Sequence, residues 1–180
     1  MDMINDSKRE KQIKIINILR YAMLVMMALV FVSWLLPYFT YDEADYGLHK
    51  GYKATKSLWG IMLYPANFLQ MEKVMDIKFL SLKHLHVVVM MAIFGIIGII
   101  TCANKRGLGT CLFPLAFSLY GIIGYFTNDL MNVYCNHPGT RIIQIILIAI
   151  TLVVTLASVV AGIMEMKSRP EDYYLAAPGQ

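Results

Sequence analysis

Apolar and polar positions alternate along this chain in long blocks. Residues 21–39, 85–103, 110–127 and 142–164 contain no Asp, Glu, Lys or Arg. Each block is close to the roughly 20 residues that a helix needs to cross the hydrocarbon of a bilayer. The pattern predicts an all-α integral membrane four-helix bundle, one domain over residues 1–180, because four spans can share a single helical core. The first block lacks a small-residue cleavage motif, since Leu35-Leu36-Pro37-Tyr38 stands where one would fall. It therefore reads as an uncleaved anchor.

Residues 40–84 form the only long polar stretch between blocks, and they predict a small cap of two parts. Tyr46, Tyr52, Thr55, Leu58, Trp59, Ile61 and Leu63 are strand-like, with Gly47 and Gly51 placed to turn a β-hairpin. From Asn67 the spacing becomes helical. Phe68, Met71, Met75, Phe79 and Leu82 recur every three or four residues, and no Pro or Gly interrupts residues 68–94. This predicts an amphipathic helix that runs on into the second span.

The charges supply orientation. Lys8, Arg9, Lys11, Lys14 and Arg20 precede the first block, while Asp42, Glu43 and Asp45 follow it. The 104–109 turn carries Lys105 and Arg106, and the 128–141 loop carries only Arg141. The positive-inside rule then puts both termini in the cytoplasm and the cap outside. Trp34, Tyr38 and Tyr41, with Tyr125 and Phe126, fall at the outer ends of spans as an interfacial belt would. Hydrophobic residues make up 58% and charged residues 16%, which fits the membrane class. The formal net charge of +4 then reads as topology control and affinity for anionic lipid. Nucleic-acid binding is excluded for want of a basic stripe interleaved with aromatics. An outer face without glycosylation sequons or paired cysteines fits a bacterial cytoplasmic membrane.

Small residues mark where helices approach closely in lipid. Ala92, Gly95 and Gly98 in the second span echo Ser118, Gly121 and Gly124 in the third, which predicts that these two spans pack glycine to glycine. Ala157 and Ala161 lie four apart in the fourth span, as do Ser158 and Gly162.

Candidate chemistry is sparse. All four histidines fall on the outer side, and His84, His86, Cys135 and His137 are the metal-ligand candidates, since imidazole and thiolate suit zinc or copper. His84 and His86 are two apart and so lie on different faces of a helix. Cys102 and Cys111 read as buried packing. No catalytic triad, phosphate-binding loop or dinucleotide motif is present, and no cofactor is implied.

The layout resembles the claudin-like four-span family. Trp34 matches that family's Trp at the outer end of span one, and Ser57-Leu58-Trp59-Gly60 partly matches its G-L-W motif. The resemblance implies a small sheet in the first outer segment and a short helix leading into span two. The family's paired loop cysteines are absent from residues 40–84, so no junction-forming role is carried over.

The leading expectation is a non-enzymatic accessory or scaffold protein. It would bind another membrane or extracytoplasmic protein, or a copy of itself, through Trp59, Tyr46, Tyr52, Phe68, Met71 and Met75. Aromatic and Met-rich surfaces favour such contacts. The alternatives are a small transporter or channel for a metal or uncharged solute, and a membrane enzyme with an outer His/Cys metal site.

Overall fold

The computed structural model describes residues 2–42, 53–63, 82–104, 108–132 and 135–167. Tyr46, Tyr52, Phe68, Met71 and Met75 lie outside the described residues, and so does the expected helix over 68–81.

Helix α1 spans Asp2–Ser33. It ends well before residue 39, where the first apolar block closes, because Leu36 precedes a proline and is pushed out of helical geometry. The strand β1, Pro37–Asp42, takes over. It pairs antiparallel with β2, Lys53–Ser57, with Thr40 opposite Thr55 and an irregularity between Pro37 and Phe39. The hairpin thus uses the tail of the apolar block as one of its strands. Its second strand is shorter than expected, because Leu58–Leu63 forms a helical turn, α2. The Ser57 hydroxyl accepts the Gly60 N–H at 3.1 Å and starts that turn, as a helix N-cap does. Leu58 and Ile61, three apart, then bury the same face.

Helix α3, Leu82–Ala103, leads through a 3₁₀ turn at Leu108–Cys111 into α4, Leu112–Thr127. A short helix α5, Asp129–Asn132, precedes α6, Pro138–Lys167. Among the described residues the structure is mostly helical, with one two-stranded sheet. Three segments among the described residues are long and apolar enough to cross a membrane: Glu10–Ser33, His86–Ala103 and Pro138–Lys167. The fourth apolar helix, α4, has 16 residues. The first of these segments starts further toward the N-terminus than the uncharged block, because Ile13, Ile15, Ile16, Ile18 and Leu19 outweigh the lysines among them.

α1 packs most extensively on α6, α4 packs on α3 and α6, and α3 also meets α1. The start of α6 lies beside the end of α1, so the two run antiparallel. On α1 the inward row is Arg20, Met23, Met27 and Val30, continued by Trp34 just past its end, spaced three and four apart. On α6 it is Gln144, Ile148, Thr151, Thr155, Ser158, Gly162 and Glu165, with the same alternation. Such spacing keeps one seam facing its partner along two helices crossing at a shallow angle. The inward seam of α6 therefore passes through Ser158 and Gly162. Ala157 is exposed and Ala161 only half-buried, so that pair is not the seam.

The glycines of α3 and α4 do not face one another. Each receives a large side chain from a neighbour. A Cβ on Gly95 would stand 2.5 Å from the Phe31 ring and 3.1 Å from that of Phe117. On Gly98 it would meet the Met27 sulfur at 2.9 Å, on Gly121 the Met91 methyl at 2.8 Å, and on Gly124 a Val87 methyl at 2.6 Å. Ala92 and Ser118 are buried on the same faces. Interlocking of this kind uses each missing side chain as a socket.

Phe31 itself is wedged between Trp34, Trp59 and Phe117, with ring centroids 5.2, 5.6 and 5.8 Å away, so it cannot move aside freely. Gly95→Ala is expected to destabilise the fold by about 1–3 kcal/mol. Gly139→Ala, where a Cβ meets nothing within 4 Å, should be neutral. Thermal unfolding of the two variants in the same detergent would check the contrast.

Candidate functional site at the hairpin end

The chemistry-bearing side chains gather where α1 ends, α4 ends and α6 begins. Gln144 is fully buried there. Its Nε2 donates to the Ser33 carbonyl at 3.0 Å, and its Oε1 accepts the Tyr125 hydroxyl at 2.5 Å. One amide thus ties α1, α4 and α6 together. Arg141, one turn earlier on α6, donates from Nη2 to the Tyr125 carbonyl at 3.3 Å. The buried Trp34 indole lies beside the Tyr125 hydroxyl.

A second layer joins the hairpin to the bundle. The Asn136 Oδ1 accepts the Thr40 N–H at 2.8 Å, and its Nδ2 donates to the Thr40 carbonyl. The side-chain amide acts as a one-residue extension of the sheet along the β1 edge. Thr40 Oγ1 also lies 2.7 Å from His137 Nε2 and 3.1 Å from Thr55 Oγ1. The buried Tyr38 hydroxyl donates to the Met131 carbonyl at 2.6 Å. Below them, Trp59 donates from Nε1 to the Phe31 carbonyl at 2.8 Å and stacks edge-on to Trp34, centroids 5.7 Å apart.

These contacts reassign several residues. Trp59, expected on a partner-binding surface, is half-buried and holds α2 against α1. Trp34, Tyr38 and Tyr125 point into the protein rather than forming an interfacial belt, and each is fully buried. Among the belt candidates Phe126 remains exposed. Of the metal-ligand candidates, Cys135 and His137 come together, the thiol lying 3.4 Å from the His137 carbonyl. The His137 ring, however, is turned to Thr40, while His86 packs against Tyr120 at 6.5 Å between centroids. His84 lies in the first turn of α3, and its side chain is outside the described residues. Among the described residues no three His, Cys, Asp or Glu side chains are grouped to hold a metal.

Comparison with protein-family models, with curated proteins and with solved structures finds no match. The site must be read from its own chemistry.

That chemistry is structural wherever a partner is visible. Along the α6 seam, Thr151 donates to the Leu147 carbonyl and Thr155 to the Thr151 carbonyl, both at 2.7 Å. Ser118 does the same on α4, to Pro114 at 2.8 Å, and Ser33 on α1, to Val30 at 2.6 Å. Each hydroxyl proton is used within its own helix, so these groups form no relay from helix to helix. Cys111 is the exception, with Sγ 3.5 Å from Ser158 Oγ.

Gln144 and Asn136 were missed as sites because a search for charged groups passes over neutral amides. The signal for Gln144 was present. It begins a row with Thr151, Thr155 and Ser158 at heptad spacing in a helix whose apolar positions are mostly Ile, Val and Leu. Gln144→Leu should destabilise by about 2 kcal/mol, since it strands the buried Tyr125 hydroxyl. Adding Tyr125→Phe should recover part of the loss, and a double-mutant cycle of unfolding free energies would measure the coupling.

The Cys135 thiol is raised above its ordinary pKa by burial, against the lowering effects of the His137 backbone, Tyr38 and Arg141. A raised pKa means less thiolate at any given pH. Alkylation of Cys135 should therefore be slower than that of a free thiol at neutral pH, with its midpoint displaced to higher pH. A maleimide rate profile against pH would show a midpoint at or below that of free cysteine if burial did not control the thiol.

Proposed function

We propose that the chain is a non-enzymatic four-span membrane protein that displays its hairpin segment as a rigid mount for a protein partner or a second copy. The observation that carries this reading is the anchoring of the hairpin. Asn136 and His137, in the segment just before α6, hold Thr40, while Tyr38 reaches α5 and Trp59 of the adjoining α2 reaches α1, so the paired strands are held in a defined pose. Pre-organisation lowers the entropic cost of binding.

The membrane part of the proposal draws on the inverted character of the helices. α6 buries Gln144, Thr151, Thr155 and Ser158 and exposes Ile142, Ile146, Ile150, Val153, Leu156, Val160 and Ile163. Such a surface suits lipid, where polar groups turn inward and apolar ones outward. α4 is short, yet its 16 residues and the preceding 3₁₀ turn together reach about 32 Å, enough for the hydrocarbon core. Flanking charge supports a cytoplasmic placement of both termini. A small sheet after the first apolar segment is in keeping with the claudin-like layout.

Gentle solubilisation followed by native mass measurement tests the function. The expected result is a homo-oligomer or a copurifying protein, weakened when Asn136→Ala loosens the hairpin. A monomer with nothing bound would sink the proposal. For the topology, an impermeant thiol reagent on intact cells should label Cys135 and spare Ser7→Cys in a Cys135→Ser background. Cys102 and Cys111 are buried and cannot serve as reporters.

A further inference from the structure

The outward faces of α1 and α6 are continuous apolar rows that end in lysine at the same end of the molecule. On α1 the row is Val32, Val25 and Ile18, each seven residues apart and 60%, 51% and 58% exposed. The next step of seven is Lys11, and Lys14 lies within about 40° of the same line on the helical wheel. Both lysines are exposed. On α6 the row is Val153 and Val160, 66% and 57% exposed, and the next step of seven is the exposed Lys167.

The depths agree. The Gln144–Ser33 hydrogen bond sets α1 and α6 level with one another at the hairpin end. Measured from that contact at 1.5 Å per residue, Lys14 lies about 28 Å away, Lys11 about 33 Å and Lys167 about 35 Å. The hydrocarbon core is about 30 Å thick. Two antiparallel helices, built from unrelated stretches of sequence, therefore carry their lysines to the depth of the opposite headgroup layer. Ile15 and Ile18, exposed beside the α1 lysines, give the acyl chains a surface just above that layer.

We infer that Lys11, Lys14 and Lys167 form a collar that recognises the phosphodiester headgroups of acidic phospholipids in the leaflet opposite the hairpin. The inference rests on the membrane-spanning reading above. Lysine stems can lie along the apolar surface while their ammonium groups reach the phosphates. Glu10 is also exposed, on the flank of the same face and four residues before Lys14, and it opposes the collar.

The test is a titration of the purified full chain in neutral detergent with phosphatidylglycerol, followed by native mass spectrometry. Each of Lys11→Gln, Lys14→Gln and Lys167→Gln should weaken lipid retention about five-fold, and the triple variant by roughly a hundred-fold. Glu10→Gln should strengthen it, and Lys56→Gln, on the hairpin, should leave it unchanged. Phosphatidylcholine should bind weakly to all forms, and glycerol 3-phosphate should not compete, which separates a lipid site from a free-phosphate site. Gln keeps most of the stem, so thermal unfolding should match wild type in the Lys11, Lys14 and Lys167 variants.

Wild-type retention by the triple variant, equal retention of phosphatidylcholine, or competition by glycerol phosphate would each overturn the collar. Alkaline carbonate extraction of cell membranes separates this from the underlying reading. Protein that stays in the pellet while the triple variant keeps its lipid refutes the collar alone. Protein released to the supernatant refutes the membrane reading.

Discussion

The fully buried amide of Gln144 is the contact on which the rest of the bundle is registered. A primary amide carries both donor and acceptor functions. At Gln144 the two faces are taken by different helices, the Ser33 carbonyl of α1 and the Tyr125 hydroxyl of α4. Apolar side chains alone tolerate sliding, because one methyl packs much like another. A paired buried amide does not, since a shift of one turn would leave three polar groups unpaired in a dry environment. The alignment of α1 with α6 from Arg20 to Trp34, and the common depth of Lys11 and Lys167, both follow from that fixed level.

Asn136 plays the same role one layer further out. Its amide occupies the N–H and carbonyl of Thr40 on the edge of β1, where an isolated two-stranded hairpin would be marginal. Tyr38 reaches Met131 from the same strand, and Trp59 closes the other side over Phe31 and Trp34. Three kinds of contact, amide, phenol and indole, thus hold a short sheet onto a helical core. Polar bonds that cross elements give the hairpin a defined pose, while Phe31, Trp34 and Trp59 pack against one another beneath it.

The helices were legible in the sequence because long uncharged runs have few other fates. Even so, the charge-free criterion misplaced the first. The apolar segment reaches back to Glu10 through scattered isoleucines, and Pro37 turns what looked like the last turn of a span into a strand. Leu58 to Leu63 reads equally as strand or helix by composition, and the Ser57 cap decides for helix. The small residues were recognisable as packing positions, but their partners were not. Gly95 and Gly121 receive Phe31 and Met91, which lie far from them in sequence. Trp34, Tyr38 and Tyr125 carried the composition of an interfacial belt, and nothing local distinguishes an aromatic that faces lipid from one that faces its neighbours.

What the sequence determined by itself was periodicity and composition. Apolar runs of sufficient length, polar breaks between them, and heptad rows of Lys and Val on one side and Gln, Thr and Ser on the other are properties of spacing alone. What only the tertiary structure decided was pairing. Gln144 with Ser33 and Tyr125, Asn136 with Thr40, and Trp59 with Phe31 join residues 111, 19, 96 and 28 positions apart. The physical reason is that a hydrogen bond or a socketed side chain is specified by direction and distance in space. Local sequence controls only which groups are available and which face of a helix they occupy.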